Sequence, residues 1–351
     1  MAKLYQKAID PKTSINEEKY GESLDIICNT DIWGYREILS VVVVAMLLDK
    51  TFKASTDLYS CNPRGIYEGP IKEFFIEKNI PHRKSGPLNI AKATKGLNMI
   101  WAAQRRRKEA AEKIVDLVNS LEADYSLVEN VGVSLMKRLL EASSAMAILK
   151  VDIKPMEDPD YLYYLCHELI IREPDAGNTP QKIAAFLLQC YHNSFNTCVE
   201  VTGGEDRASV TSTTSKKPGD INEEVGNSIY KVYEITVKSF DLPRIRDSYD
   251  CISAYNAENE TRIKEIIVIC REEDCPEGIE KSGLYGYLGK YVYQDIVYYY
   301  WDIFEWISNL LQHMTAHGRN LFYQKLNKYI DELNTSISVK ILWQQLHSTN
   351  N

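Results

Sequence analysis

The chain has 351 residues, 44 % of them apolar and 26 % charged, with a net charge of −8. That length holds one large domain or two, and the composition is that of an ordinary soluble globular protein. The acidic total excludes a uniformly basic nucleic-acid coat, and eight cysteines without tight pairing spacings fit reduced thiols in a cytoplasm.

No charged-then-apolar leader opens the sequence, so no secretory signal is expected. Met1 to Asp31 reads as a polar, irregular arm. Ile32 to Lys50 reads as a mostly apolar helix. Its longest apolar run, Ile38 to Leu48, is too short to span a bilayer and is flanked by Glu37 and Asp49. A buried helix is expected, and no membrane partner. Asn62-Pro63-Arg64-Gly65 breaks the chain, and Pro70 to Asn79 reads as a short amphipathic helix.

Charge then becomes uneven. Between positions 82 and 113 stand Arg83, Lys84, Lys92, Lys95, Arg105, Arg106, Arg107, Lys108 and Lys113 against Glu109 and Glu112. That is +7 locally, which leaves −15 elsewhere. A basic patch on an acidic protein can focus a polyanion onto one surface, and phosphate contacts supply most non-specific affinity. The bland alternative is a solvated helix face. Arg83, Lys84 and Asn89 fall in the loop Pro81 to Asn89, where close approach to a sugar-phosphate backbone and a plain turn fit equally. Ile90 to Leu121 reads as helix, with Gly96 a point of interruption. Leu127 to Leu149 and Tyr161 to Ile171 read as two more, ending at Glu173-Pro174-Asp175-Ala176-Gly177. Residues 30 to 175 are therefore helical in pattern. They suit target recognition and dimer contacts, or a passive cap.

From Thr179 the pattern changes. Thr179 is a candidate N-cap for a helix from Pro180 to Phe195. Glu200 follows it, then Gly203-Gly204 and a Ser/Thr-rich run to Ser215. Hydroxyls there, with Lys216 and Lys217, could grip phosphates. Two β-prone runs flank Gly226-Asn227-Ser228, a turn signal. The second alternates: Tyr233, Ile235 and Val237 point one way, Glu234, Thr236 and Lys238 the other. A three-residue loop places Val225 across from Ile229 and hence Asp220 opposite Glu234. Directly opposed side chains have Cβ atoms roughly 5 Å apart, where like charges destabilise a sheet. Two carboxylates that close ask for something positive, and a hard divalent cation with oxygen ligands is the obvious candidate. A solvated strand edge is the plain alternative. Leu242 to Asn256 then reads as helix and Ile263 to Cys270 as an apolar strand, a pattern that favours a right-handed parallel crossover. Arg271 to Gly286 reads as an acidic loop. Tyr287 to Leu346 reads as helical and rich in aromatics, more often core or interface than base-stacking.

Pro218-Gly219-Asp220, Glu234 and a following lysine resemble the PD-(D/E)XK nuclease fold, a mixed sheet flanked by helices. More narrowly, Thr-Thr-Ser-Lys-Lys-Pro-Gly-Asp220 with Tyr-Glu234-Ile-Thr-Val-Lys238 resembles the SacI-type family of type II restriction endonucleases. The stretch from Val42 through Pro87-Leu88-Asn89 is similar to that family's amino-terminal half. The resemblance implies Mg²⁺, with Mn²⁺ as a substitute, held by Asp220, Glu234 and the main-chain carbonyl of Ile235. It also implies Glu200 as a third acidic residue near the metal, an ordinary surface residue being the plain alternative, a homodimer cutting both strands of DNA at a short palindrome, and a DNA methyltransferase as genetic partner. One departure stands out. The broad fold has its lysine two residues after the glutamate, and this chain has Thr236 there. The lysine role falls to Lys238, or its charge to Lys216 or Lys217, and Thr236 is left to hydrogen-bond a ligand water.

His313 and His317 lack the glutamate of a metalloprotease motif. Cys190, His192 and Cys198 have no finger spacing, and Cys270 with Cys275 has no matching second pair. No Walker loop or dinucleotide fingerprint is present. The expectation is thus an α+β or α/β protein: a helical region over 1–175, a nuclease core over 176–286 and packed helices over 287–351. Its expected activity is Mg²⁺-dependent cleavage of double-stranded DNA in the cytoplasm. The alternatives are a DNA-binding protein with a decayed nuclease core, which the missing lysine favours, and a nuclease acting on another nucleic acid.

Overall fold

The computed structural model describes residues 1–83, 89–204, 217–226 and 228–348. The Ser/Thr-rich loop, Lys84, Lys216 and Asn227 lie outside the described residues. The chain divides into two compact units, Met1–Leu149 and Lys150–Asn351.

The first unit is built around α3 (Gly34–Leu48), which is buried along most of its length. Fifteen residues with a near-continuous Val/Leu/Ile surface have no polar stripe to offer water, so neighbours must cover every side. The covering helices include α2 (Gly21–Asn29), α7 (Lys108–Ala123) and α8 (Leu127–Ile148), and α1 (Ala2–Ile9) packs in turn on α8. The first 31 residues are therefore not an arm: Leu4, Leu24 and Ile27 are buried and hold α1 and α2 in the core. Short helices α4 (Pro63–Ile66), α5 (Lys72–Glu77) and α6 (Met99–Ala103) complete the unit. The long helix expected over 90–121 is broken. Residues 90–98 form turns, because Gly96 passes so close to Ser55 that a Cβ there would sit 2.1 Å from the Ser55 carbonyl oxygen. The arginine run then falls in the short link between α6 and α7, not on a helix face.

The second unit is a mixed α/β structure. Its seven strands are β1 (Glu200–Thr202), β2 (Ile221–Val225), β3 (Ser228–Ile235), β4 (Glu265–Cys270), β5 (Glu280–Lys281), β6 (Tyr287–Tyr293) and β7 (Ile296–Asp302). They lie in the order β1-β2-β3-β4-β7-β6-β5, with β3–β4 and β4–β7 parallel and the other pairs antiparallel. Helix α11 (Leu242–Asn259) makes the crossover from β3 to β4, as the pattern predicts. Its Ile245 and Ile252 pack on one sheet face with Val232, Ile266 and Val268. The other face, with Ile221, Tyr233, Ile235 and Ile269, is covered by α9 (Pro159–Arg172), α10 (Asn178–Ser194), α12 (Ile303–His313), α13 (Ala316–Asp331) and α14 (Ile337–Ser348). Both edge strands are very short, which limits the backbone they offer to a foreign strand.

Three expectations change here. The unit boundary falls at 149/150, so α9 belongs with the sheet. Residues 287–302 are a β-hairpin, not helix, and β7 is inserted beside β4 in the middle of the sheet. Helix α10 begins at Asn178, so Thr179 is not its cap; its side chain is buried, 3.4 Å from the Tyr329 hydroxyl.

Candidate active site

The β2–β3 hairpin sets the geometry. Val225 pairs with Ser228, one residue short of the expected partner. A register shift between Glu223 and Glu224 then leaves Tyr230 as an extra residue on β3, and the pairing becomes Glu223 with Lys231, Asn222 with Val232 and Ile221 with Tyr233. The bulge thus undoes the shorter turn. Asp220, next to Ile221, meets Glu234, next to Tyr233, as the longer loop would also have arranged.

Pro218-Gly219-Asp220 now has a physical reading. A Cβ on Gly219 would lie 2.4 Å from Val232 Cγ1 and 2.9 Å from the Tyr233 carbonyl oxygen. Only glycine lets this backbone press against β3, and that closeness brings the Asp220 carboxylate onto Glu234. Gly203 does the same from the other side, at φ +94° against the Asp220 carbonyl.

Each carboxylate is held. The Ile235 N–H donates to Asp220 Oδ2 at 3.0 Å. The Ser248 hydroxyl on α11 donates to Glu234 Oε1 at 3.3 Å. Glu234 is 7 % exposed and Asp220 half-buried. Burial pushes both carboxyls above their ordinary range, and the charge of Asp220 pushes Glu234 well above it. One cation faces them. Arg244, in the first turn of α11, lowers both carboxyls by its charge. Its Nη1 donates to Thr236 Oγ1 at 2.6 Å, and its guanidinium lies 4.8 Å from the centre of the Phe240 ring.

Thr236 is 4 % exposed, and its hydroxyl donates to the Lys238 carbonyl at 2.8 Å while accepting from Arg244 and from the Lys238 N–H. It seats Arg244. Lys238 is exposed. Sequence reasoning missed Arg244 and Ser248. The signal available was a strand followed at once by a helix: Asp241 caps α11 by accepting from the Arg244 N–H, so Arg244 starts the helix beside the strand's end.

The donor set suits a hard divalent cation: two carboxylates pressed together, with oxygen ligands alone. Asn222, one pleat beyond Asp220, adds a fully buried amide whose oxygen and nitrogen have no hydrogen-bond partner among the described residues. No group of three or more His, Cys, Asp or Glu side chains placed to hold a metal occurs among the described residues. Glu200 is exposed on β1, paired with Glu224.

The basic candidates scatter. Arg83 donates from its N–H and Nε to the fully buried Glu37, at 2.6 and 2.8 Å, inside the first unit. Arg107 pairs with Asp31 at 2.7 Å and Arg106 with the same carboxylate at 3.5 Å. Arg105 donates to the Trp101 carbonyl at 3.4 Å. Asn89, Lys92 and Lys95 are exposed, and Lys217 is half-buried. Compared with known proteins, the chain matches no family model and no curated protein sequence.

Proposed function

We propose that the protein is a Mg²⁺-dependent endonuclease of the restriction type, cutting double-stranded DNA at a short palindrome as a homodimer. The observation that carries this reading is the pair Asp220 and Glu234, one half-buried and one buried, brought together beside Arg244. Two like charges in a low-dielectric site are a cost to folding, and such arrangements cluster where chemistry needs them. Asp220 and Glu234 would hold the ion, with the main-chain carbonyl of Ile235. A bound divalent cation supplies a Lewis acid that acidifies a ligand water and offsets charge developing on the phosphate.

The chain's own groups do the positioning. The Ile235 N–H and Ser248 fix the two carboxylates. Arg244, seated by Thr236 and Phe240, would take the part of the lysine in the resembling fold, and its charge would stabilise a pentavalent phosphate. The exposed Lys238 is free to reach the DNA backbone. The helical first unit would read the target. The missing lysine at 236 favours a second reading, a DNA-binding protein that no longer cuts.

One experiment separates the two. With Mg²⁺ the purified protein should cut phage DNA into discrete bands. Asp220→Ala should bind the same DNA and leave it whole, and Arg244→Ala should slow cutting by about 10²–10³-fold, the usual loss for one transition-state donor. Uncut DNA with wild-type protein would favour the binding reading. Undiminished cutting by Asp220→Ala would remove the site from the reaction.

A further inference from the structure

On the opposite sheet face from Glu234 lies a cavity of about 610 Å³, lined from β2, β3, β7, α10 and α12. Side-chain alternation along β3 separates the two: Tyr233 and Lys231 point into the cavity, Glu234 away from it. A second depression of about 480 Å³ adjoins it, with Lys231, Tyr285 and Trp301 common to both.

The cavity holds a built polar centre. Glu223 is 5 % exposed. Its Oε1 accepts from the Tyr233 hydroxyl and from His192 Nε2, each at 3.0 Å, and Lys231 Nζ lies 3.7 Å from Oε2. His192 is itself fixed, with Nδ1 3.0 Å from Thr197 Oγ1. A carboxylate held by these two hydrogen bonds, with the lysine at ion-pair distance, keeps acceptor capacity on its remaining lone pairs. The walls are aromatic. Trp306 packs on Tyr233 at 6.3 Å, and Trp301, 37 % exposed, packs on Tyr287 at 5.3 Å. Tyr285 is 85 % exposed at the mouth.

Charge narrows the occupant. Glu223 and Glu305 line the cavity against a single lysine, Lys231. That balance opposes a phosphate, and Lys231 opposes an organic cation in an aromatic cage. A neutral planar ring with both donors and acceptors at its edge meets all the groups present. Its faces stack on the aromatic walls and its N–H edge meets Glu223.

We propose that this cavity binds the single nucleobase of a free nucleoside. The site is independent of the cleavage reading, because it needs neither the ion nor the carboxylate pair on the other face. The test is a calorimetric titration of the full-length protein in chelator with adenosine, guanosine, cytidine and thymidine, with tetramethylammonium as the cation probe. At least one nucleoside should bind with a Kd of about 1 mM or tighter. Trp301→Ala should weaken it about tenfold, within the range of one lost base stack, and Trp301→Phe should restore most of it. Glu223→Gln, which keeps the shape, should weaken a purine or pyrimidine that donates to the carboxylate and shift the preference among the four. Melting curves check that each variant is folded. No binding of any nucleoside at about 10 mM, equal binding by wild type and Trp301→Ala, or displacement by tetramethylammonium would each overturn the proposal.

Discussion

At Asp220 the arrangement sets stability against function. Two unit charges roughly 5 Å apart, the usual Cβ spacing of opposed residues, repel by roughly 3 kcal/mol at an effective dielectric of about 20. Arg244 returns part of that, and protonation returns more. Neutralising one partner without changing its shape should therefore stabilise the protein when no divalent ion is present. Asp220→Asn in chelator at pH 8 should gain about 1–2 kcal/mol and raise the melting temperature by roughly 3–8 °C. The sign with pH follows from the raised carboxyl of Glu234. A raised acid contributes stability that is full below its unfolded pKa and lost as pH rises through the folded one. The variant's advantage should shrink as pH falls and the wild-type pair takes up its proton. A second arm uses the ion: added Mg²⁺ or Mn²⁺ should raise the wild-type melting temperature and leave Asp220→Asn nearly unmoved. A variant less stable than wild type in chelator would mean that the carboxylates do not repel.

At the scale of elements, the β2–β3 hairpin transmits position to the site through Gly219. Adding one methyl there forces a contact of 2.4 Å with Val232 Cγ1 and 2.9 Å with the Tyr233 carbonyl. The side chain can turn, but the backbone oxygen cannot. Gly219→Ala should cost about 1–3 kcal/mol by overpacking and abolish cutting while DNA binding persists; unchanged cutting would show that the strand can step aside. The same hairpin shows what a sequence makes legible. Period-two alternation exposed the faces of β3, and the pairing of Asp220 with Glu234 followed, because a bulge at Tyr230 compensated for a turn one residue shorter than expected. The α11–β4 crossover and helices α3 and α8 were equally readable from their apolar spacing. Arg244 was not, since ten residues separate it from Glu234 in the chain and only the strand-to-helix turn brings them together. Strands β6 and β7 were missed because aromatic residues stand at six of the eleven positions from 291 to 301, four of them in an unbroken run, and blur both periods. Their Tyr, Val and Trp content is that of strands, and Gln294 at φ 55° marks the turn between them. The amino-terminal helices were missed because a few apolar anchors such as Leu4 and Leu24 sit among many charges.

For the molecule as a whole, each core is assembled from one stretch of chain. The two clusters that sandwich the sheet draw only on residues from Val151 to Leu346, and the helical cluster only on residues from Met1 to Leu140. About 200 residues are enough to bury a self-sufficient core. The segment 150–351 should therefore fold when expressed alone. It contains Asp220, Glu234, Thr236, Arg244 and Ser248, so its local chemistry should survive the removal of the first unit. Circular dichroism should give a cooperative melt, and the Asp220-dependent rise in melting temperature on adding Mg²⁺ should be retained. If target reading resides in residues 1–149, the fragment should bind DNA weakly and without sequence preference, with an affinity that falls steeply with salt. A molten fragment that binds a hydrophobic dye would show that the sheet depends on the helical unit for its packing. A fragment that kept full sequence preference would move the reading of bases onto the second unit.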